Sequence, residues 1–281
     1  MAWILLALVI ALVVYLYVQS YLIKITRYDI TIPGLHPDLK GKKVVHLTDL
    51  HLRPRTNKSY IETIIDKTQN ENPDMILVTG DLVQAGLETL SETPLRRFAE
   101  LCSQTAPTYV VTGNHDIASG SFDEFKAIMK SSNVKLLLNQ AVSVKNNSDE
   151  EALVIMGLSE RVNRSTVPQP ILKSIALTPS MEPLPKLLLV HRPEYFKHYG
   201  YDKTKSPALI FSGHTHAGQV ILPFLGGVYA PGQGWFPKYD FGFFSDEEDR
   251  TKRMLVSRGL GNSSFPLRIN NRPEIIVVTL T

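Results

Sequence analysis

The chain has 281 residues, of which 43% are hydrophobic and 20% charged, and its formal net charge is +3. This length suits one main domain with an appendage, and so small a net charge, without basic runs that alternate with aromatic residues, gives no basis for a nucleic-acid partner. The single cysteine, Cys102, excludes an internal disulfide and a thiolate metal cluster, and we expect it to be buried.

The amino-terminal segment carries no charged side chain from residue 1 to residue 23. An apolar run of this length can cross a bilayer. A cleaved signal peptide would begin with a basic residue and end in a small-x-small site, and neither precedes Lys24. A buried core helix of such uniform hydrophobicity would be unusual at a chain terminus. We therefore predict that residues 1–23 form an uncleaved, single-pass anchor in the cell membrane.

Basic residues follow the apolar run, whereas only the initiating amine precedes it. The positive-inside rule then favours a location of the main domain on the cytoplasmic face of the membrane. Long domains are translocated despite such charges, so an extracytoplasmic location stays open. The basic residues are Lys24, Arg27, Lys40, Lys42 and Lys43.

Beyond the anchor, residues 24–40 are expected to form an edge strand and a linker, and residues 41–281 the main domain. Three units of strand followed by helix come first, which is typical of α/β layering. The strands are predicted at 43–48, 75–79 and 108–112, and the helices at 57–69, 87–103 and 121–130.

After residue 134 the predicted strands are joined by shorter connections. The segments 134–138, 141–145 and 153–156 are interpreted as a meander, and 165–177 as a helix. Further strands are predicted at 187–190, 208–212, 219–222, 253–257 and 275–280, and a short helix at 194–199. We infer an α/β fold of two sheets packed face to face with helices outside, in which strand ends of both sheets meet at one edge.

Five apolar strands end in potential metal ligands. In folds of alternating strands and helices, sites lie at the carboxyl ends of the strands. Aspartate, histidine and asparagine suit divalent manganese, iron, zinc or cobalt. Two such ions, about 3.5 to 4 Å apart and sharing the Asp81 carboxylate, would hold a bridging hydroxide for in-line attack on phosphorus. The candidate residues, in chain order, are Asp49, His51, Asp81, Asn114, His115, Asp116, His191, His214 and His216.

This ordered set of motifs, Asp-x-His, Gly-Asp, Gly-Asn-His-Asp, His and Gly-His-x-His, resembles the calcineurin-like metallophosphoesterase superfamily. The resemblance covers roughly residues 40 to 280 and implies a four-layer α/β/β/α fold. It implies one metal held by Asp49, His51, Asp81 and His216, and a second held by Asp81, Asn114, His191 and His214. It also implies that His115 protonates the leaving oxygen and that Asp116 orients His115.

Two observations narrow the resemblance to a subgroup of the superfamily. Purple acid phosphatases have glycine in place of His51 and a ligand tyrosine where this chain has Gln84, so a manganese-type or mixed-metal bacterial enzyme fits better. The apolar anchor and the tail from Gly259 to Arg268 resemble membrane-anchored bacterial phosphoesterases, which include phosphodiesterases and UDP-2,3-diacylglucosamine pyrophosphatases. We expect a phosphodiester or pyrophosphate substrate.

Several interpretations stay open. The segment 222–245, rich in glycine, proline and aromatic residues, either forms an apolar wall that holds an acyl chain or meets the bilayer, or is a hairpin that covers the core. The first interpretation makes a lipid-linked substrate attractive. Arg192 is interpreted as part of a surface salt bridge and Asn139 as a turn residue, although both could reach a phosphate. A non-catalytic scaffold on the same fold is the alternative function, which the intact His115 and ligand set disfavour. The sequence indicates no protein partner.

Overall fold

The computed structural model describes residues 1–161, 170–262 and 265–281. The α-helices are α1 (Ala2–Tyr21), α2 (Lys58–Asn70), α3 (Leu95–Thr105), α4 (Asn114–Ile117) and α5 (Phe122–Ser131). Short 3-10 helices lie at Pro37–Leu39, Pro193–His198, Lys203–Lys205 and His216–Gly218. The strands are β1 (Lys24–Ile30), β2 (Lys43–Leu47), β3 (Met75–Val78), β4 (Thr108–Val110), β5 (Lys135–Leu136), β6 (Gln140–Lys145), β7 (Glu151–Gly157), β8 (Lys186–Leu189), β9 (Leu209–Ser212), β10 (Ile221–Leu222), β11 (Gly226–Gly227), β12 (Tyr229–Ala230), β13 (Gly234–Trp235), β14 (Gly242–Ser245), β15 (Arg253–Val256) and β16 (Glu274–Leu280).

Most of these strands belong to two six-stranded sheets. The first sheet has the order β1-β16-β2-β3-β4-β5, and only its β16–β2 pair is antiparallel. The second has the order β14-β15-β9-β8-β7-β6, with antiparallel pairs at both edges. The strand pairs β10–β11 and β12–β13 form two separate small hairpins.

The two sheets are held together by apolar side chains that alternate along each strand. In β3, Met75 and Leu77 belong to the core cluster between the sheets, whereas Ile76 and Val78 belong to the cluster under the helices. In β8, Leu187 and Leu189 enter the same inter-sheet core. A strand that is buried on both faces alternates between two cores in this way.

The outer faces of the sheets are covered differently. Helices α2, α3 and α5 cover the first sheet, with contributions such as Ile64, Phe98 and Phe125. Within the described residues, the second sheet is covered by the 3-10 helix Pro193–His198 and by turns that include Ile171. The prediction of two stacked sheets flanked by helices is thus confirmed.

Three predicted elements differ from the structure. Helix α3 begins at Leu95 rather than at residue 87, because Pro94 precedes it and proline is tolerated only at the start of a helix. The predicted meander is wrong, since β5 pairs with β4 in the first sheet whereas β6 and β7 pair in the second. Of the predicted helix at 165–177, residues 165–169 lie outside the described part of the chain, and the remainder consists of turns and irregular backbone.

Helix α1 is exposed over residues 2–14 and partly buried toward its carboxyl end, and it is long and apolar enough to cross a membrane. Only Leu22 and Ile23 separate it from β1, which is an edge strand of the first sheet. The guanidinium of Arg272 donates hydrogen bonds to both of their carbonyl oxygens, at 2.6 and 3.3 Å. The helix is therefore joined to the domain by a short connection that is itself hydrogen-bonded.

Leu187→Ala should lower the free energy of unfolding by about 2–5 kcal/mol, because it leaves a cavity between the two sheets. Val142→Ala on the edge strand β6, where the side chain is only partly buried, should cost less and serves as the control. Denaturant unfolding of the full chain in detergent measures both. Equal losses would contradict the assignment of Leu187 to the central core.

Candidate metal centre

The candidate residues lie in loops at the carboxyl ends of five strands, β2, β3 and β4 of the first sheet and β8 and β9 of the second. Backbone hydrogen bonds join the first two loops, since the Asp49 amide donates to the Gly80 carbonyl and the His51 amide to the Asp81 carbonyl, both at 3.0 Å. Because the two sheets are stacked, the five loops meet at one edge. All the metal ligands expected from the sequence are brought to this edge.

Five of these residues have an unusual backbone conformation. Positive φ angles are uncommon outside glycine and cluster at functional sites, where the surrounding structure must hold them. Here such angles fall on histidines and aspartates that lie two to four residues after the ends of β2, β3 and β9, so the strands hold the loops from which these side chains project. The residues are Asp49 (54°), His51 (49°), Asp81 (51°), His214 (73°) and His216 (46°).

The glycines of the motifs leave space for the carboxylates. A Cβ atom on Gly113 would lie 2.2 Å from Oδ1 of Asp81, and one on Gly213 would lie 2.2 Å from Oδ2 of Asp49. Neither position can carry a side chain without displacing a carboxylate. This explains why glycine directly precedes Asn114 and His214.

A first cluster of donor atoms is formed by Asp49, His51 and His216. The Nε2 atoms of the two histidines are 2.9 Å apart, and Nε2 of His216 is 3.6 Å from Oδ1 of Asp49. All three residues are buried, and one donor atom from each lies within 4.8 Å of the others. Two ring nitrogens and a carboxylate oxygen therefore converge on one point.

A second cluster is formed by Asp81, His191 and His214. Nε2 of His191 lies 3.2 Å from Oδ2 of Asp81 and 3.1 Å from Nδ1 of His214. The other ring nitrogen of His191, Nδ1, donates a hydrogen bond to the carbonyl of Thr79 at 2.8 Å. Nε2 is therefore the nitrogen that can coordinate a metal in this cluster. The same Oδ2 atom of Asp81 is 3.8 Å from His51 of the first cluster. Asp81 therefore faces both clusters.

Asn114 lies beside the second cluster and contacts a buried arginine. Arg192 donates to Oδ1 of Asn114 at 3.3 Å and lies 3.0 Å from Nε2 of His214. Its charge is paired with Glu160 and Glu194 at 2.5 and 3.0 Å. The expected surface salt bridge is thus a buried one beside the site. Sequence reasoning missed both glutamates, although Glu160 follows a strand end as the candidate ligands do.

His115 and Asp116 occupy the single-turn helix α4. Nδ1 of His115 accepts a hydrogen bond from the Ala85 amide at 3.3 Å, so the proton of a neutral ring is on Nε2. His115 is only partly buried, and its ring centroid is 4.6 Å from that of His51. Both carboxylate oxygens of Asp116 accept backbone hydrogen bonds, from Val83 at 3.0 Å and Gly113 at 2.8 Å. Asp116 therefore joins the loop that carries His115 to the loop that carries Asp81.

Arg268, at the end of the tail noted in the sequence, and Asn271 lie behind His216, whereas residues 263–264 of the tail lie outside the described residues. Arg268 is fully buried and donates to backbone carbonyls of the loop 258–261, and one of its nitrogens is 3.4 Å from Nδ1 of His216. Asn271 donates to the His216 carbonyl at 2.7 Å. Asn139, by contrast, is the expected turn residue, with a φ of 57° and a hydrogen bond from the Ser159 amide.

Burial and close charges shift the acid–base equilibria of the site. Burial raises the pKa of Asp49 to about 7. Burial opposes protonation of His191, but the carboxylates of Asp81 and Asp49 raise its pKa to about 10. Burial lowers the pKa of His51 to about 4. Both clusters offer the imidazole nitrogens and carboxylate oxygens that divalent cations take, so they fit divalent metals, provided that the cation displaces the protons held by His191 and Asp49.

The family of the chain follows from a sequence comparison. The model of the family Metallophos, described as calcineurin-like phosphoesterase, matches residues 42–218 and therefore more than half of the chain. The chain belongs to the calcineurin-like phosphoesterase family.

Three curated relatives are similar over most of this chain. UDP-2,3-diacylglucosamine pyrophosphatase LpxG of Chlamydia muridarum is 28% identical over 93% of this chain and 90% of its own length. Phosphodiesterase YaeI of Escherichia coli is 28% identical over 85% of this chain and 82% of its own length. A transmembrane protein with metallophosphoesterase domain from Danio rerio is 27% identical over 92% of this chain and 57% of its own length.

The chain spans between 56% and 63% of the length of the Danio rerio protein, of its Bos taurus counterpart and of a Campylobacter jejuni metallophosphoesterase. The names of the two vertebrate relatives, together with helix α1, suggest anchoring in a membrane.

The affinity of the site for Mn²⁺ should rise with pH. With a pKa of about 10, His191 is protonated at neutral pH in the metal-free protein, and Asp49, with a pKa of about 7, takes up a second proton at lower pH. A cation must displace these protons, so the affinity should rise about tenfold per pH unit for each of them, more steeply below pH 7 than above it.

Calorimetric titration of the metal-stripped chain across this range measures the slope. Asp81→Asn, in which binding should be lost, establishes that the signal comes from this site. An affinity independent of pH would contradict the assignment of His191 as a ligand.

Proposed function

We propose that the protein is a membrane-anchored, two-metal phosphoesterase that hydrolyses phosphodiester or pyrophosphate bonds. The observation that supports this most strongly is the convergence of two buried donor clusters on Asp81, whose Oδ2 lies 3.2 Å from His191 and 3.8 Å from His51. Family membership and relatives named pyrophosphatase and phosphodiesterase support the same reaction class.

The first ion would be held by Asp49, His51, Asp81 and His216, and the second by Asp81, Asn114, His191 and His214. Bound there, two divalent ions would supply a hydroxide nucleophile and neutralise the charge that develops on phosphorus. Manganese is our first choice, with iron, zinc or cobalt as alternatives, because oxygen and imidazole donors suit all four.

His115 is proposed to protonate the leaving oxygen. The hydrogen bond from the Ala85 amide occupies its Nδ1, so Nε2 carries the proton that it would donate. Its partial exposure leaves it open to a substrate, unlike the buried histidine and aspartate ligands. Asp116 would orient His115 through the backbone, since its carboxylate joins Gly113 to the loop at Val83.

A cleft beside the metal centre supports a lipid-linked substrate. It has a volume of about 330 Å³, and its lining includes Ser20 and Tyr21 at the end of α1, Arg53, Arg55 and His51 of the first cluster. Two arginines suit a second phosphate of a pyrophosphate or phosphodiester. A substrate whose acyl chains remain in the membrane would enter from the side of α1. The name of LpxG describes such a lipid.

The domain is proposed to lie on the cytoplasmic face of the cell membrane. The basic residues that follow α1, among them Lys24 and Arg27, support this location through the positive-inside rule.

His115→Ala should keep both metals but lower kcat by about 10²- to 10⁴-fold, because a general acid is lost. Asp81→Asn should lose metal, because a neutral amide cannot compensate the charge of two cations. Elemental analysis and turnover of a diester measure these effects. His36→Ala, at the start of a 3-10 helix, is the matched control and should leave both unchanged. Loss of metal from the His115 variant would make His115 a ligand, and unchanged turnover would exclude it as the acid.

The function is tested with the full chain in detergent, metal-stripped and reloaded with manganese. Bis-p-nitrophenyl phosphate, p-nitrophenyl phosphate and UDP-diacylglucosamine are compared side by side. We expect the diester or the lipid pyrophosphate to be hydrolysed in preference to the monoester. Two bound ions without turnover of any substrate would instead support a non-catalytic scaffold.

A further inference from the structure

The two small hairpins that follow His216 carry exposed apolar side chains, which we call the apolar rim. Phe224 at the β10–β11 turn is 107% exposed and Trp235 is 71% exposed. The other members of the rim are Leu222, Leu225 and Phe236. The backbone amide of Val228 donates to the Val220 carbonyl, and that of Phe236 donates to the Val228 carbonyl, so the hairpins are adjacent. Exposed apolar patches of this kind mark interaction surfaces.

The apolar rim is tied to helix α1 by hydrogen bonds. The hydroxyl of Tyr15 donates to Oδ1 of Asn270 at 2.8 Å and accepts from the Asn270 amide at 3.0 Å. Nδ2 of Asn270 in turn donates to the Ile221 carbonyl of β10 at 3.1 Å. One turn further along α1, Oε1 of Gln19 accepts from the Asn271 amide at 2.8 Å.

These contacts determine the depth of the rim relative to the membrane. Tyr15 lies six residues before the end of α1, which is about 9 Å along the helix axis. The hairpin that is bonded to Asn270 therefore lies beside the helix itself, not beyond its end. A helix of 20 residues is about 30 Å long, close to the thickness of the hydrocarbon core, so this level lies on the acyl-chain side of the headgroups, where exposed apolar side chains are stable.

The charges around the end of α1 suit the same partner. Arg53, Arg55 and Arg272 lie in this region, and among the described residues none of the three forms an ion pair with a carboxylate. Basic side chains at the end of a membrane-spanning helix bind the phosphates of anionic lipids. Apolar side chains beside basic ones are the arrangement of a surface that lies in a membrane interface.

We propose that the apolar rim inserts into the leaflet from which the domain emerges, so that the metal centre faces the bilayer surface. The partner is an anionic lipid bilayer. The rim packs on the metal-ligand loop, since a Cβ atom on Gly218 would lie 2.6 Å from the Val228 amide nitrogen. Docking of the rim therefore holds the His216 loop at the membrane. The inference rests on the proposed location of α1 in a membrane and not on hydrolytic activity.

The chain contains two tryptophans, one in α1 and one in the rim, and this allows a direct test. Trp3→Phe leaves Trp235 as the only tryptophan, and Trp235→Phe leaves Trp3. Each full-length variant is reconstituted into vesicles of phosphatidylcholine and phosphatidylglycerol with acyl chains that are brominated, or not brominated as reference. We expect bromine to quench Trp235 several-fold, to a degree comparable with Trp3.

A control variant reports on the opposite edge of the sheets. Ser148→Trp, introduced into the chain that lacks both native tryptophans, lies in the turn at the amino end of β7, away from the metal centre. This tryptophan should stay unquenched and accessible to iodide in water. Quenching at Ser148→Trp equal to that of Trp235 would overturn the proposal. If Trp3 is quenched and Trp235 is not, α1 lies in the membrane but the rim does not insert, and the proposal is overturned. If neither tryptophan is quenched, both the insertion of the rim and the location of α1 in the membrane are contradicted.

Discussion

The carboxylate of Asp81 is the contact on which the rest of the candidate site depends. One oxygen accepts a hydrogen bond from the His115 amide, and the other faces the rings of His191 and His51. A charge buried in this way needs positive charge nearby. Imidazoles supply it only by taking up protons, which removes them as ligands, whereas two cations supply it and leave the rings neutral. The donor set, the burial and the arrangement of the loops are all consistent with that single requirement.

The strained backbone of the ligand loops is held in place by the regular, tightly packed strands that precede them. Asp49, Asp81 and His216 have positive φ angles that cost free energy, of the order of 1–3 kcal/mol each. The strands that precede them are buried on both faces and alternate between two cores, so their ends cannot relax independently. Leu47 and Val78, for example, are fully buried immediately before the loops that carry Asp49 and Asp81. The packing of the two sheets therefore maintains a loop geometry that the loops would not adopt alone.

The sequence was sufficient where the signal is local and insufficient where it is long-range. The candidate ligands were predictable because each follows an apolar strand, and the sheets because their strands are continuous apolar runs. The assignment of β5 and β6 to different sheets was not, because a short apolar run has the same pattern in either sheet. The burial of Arg192 was not predictable either, because its partner Glu160 is 32 residues away along the chain. Asn271 behind His216 had no local signal, since an asparagine near a chain end is most often solvated.

The connection at Leu22 and Ile23 has a consequence for how the protein would encounter its substrate. With two residues between helix and domain, and with Arg272 bonded to both carbonyls, the domain has little freedom to swing away from the helix. Encounters with the proposed lipid-linked substrate would then occur by lateral diffusion in a plane. The rate would follow the mole fraction of substrate among the lipids of the leaflet, and adding inert lipid would slow turnover at constant total substrate. A tether of twenty flexible residues would relax this dependence, because the domain could then sample the surrounding water.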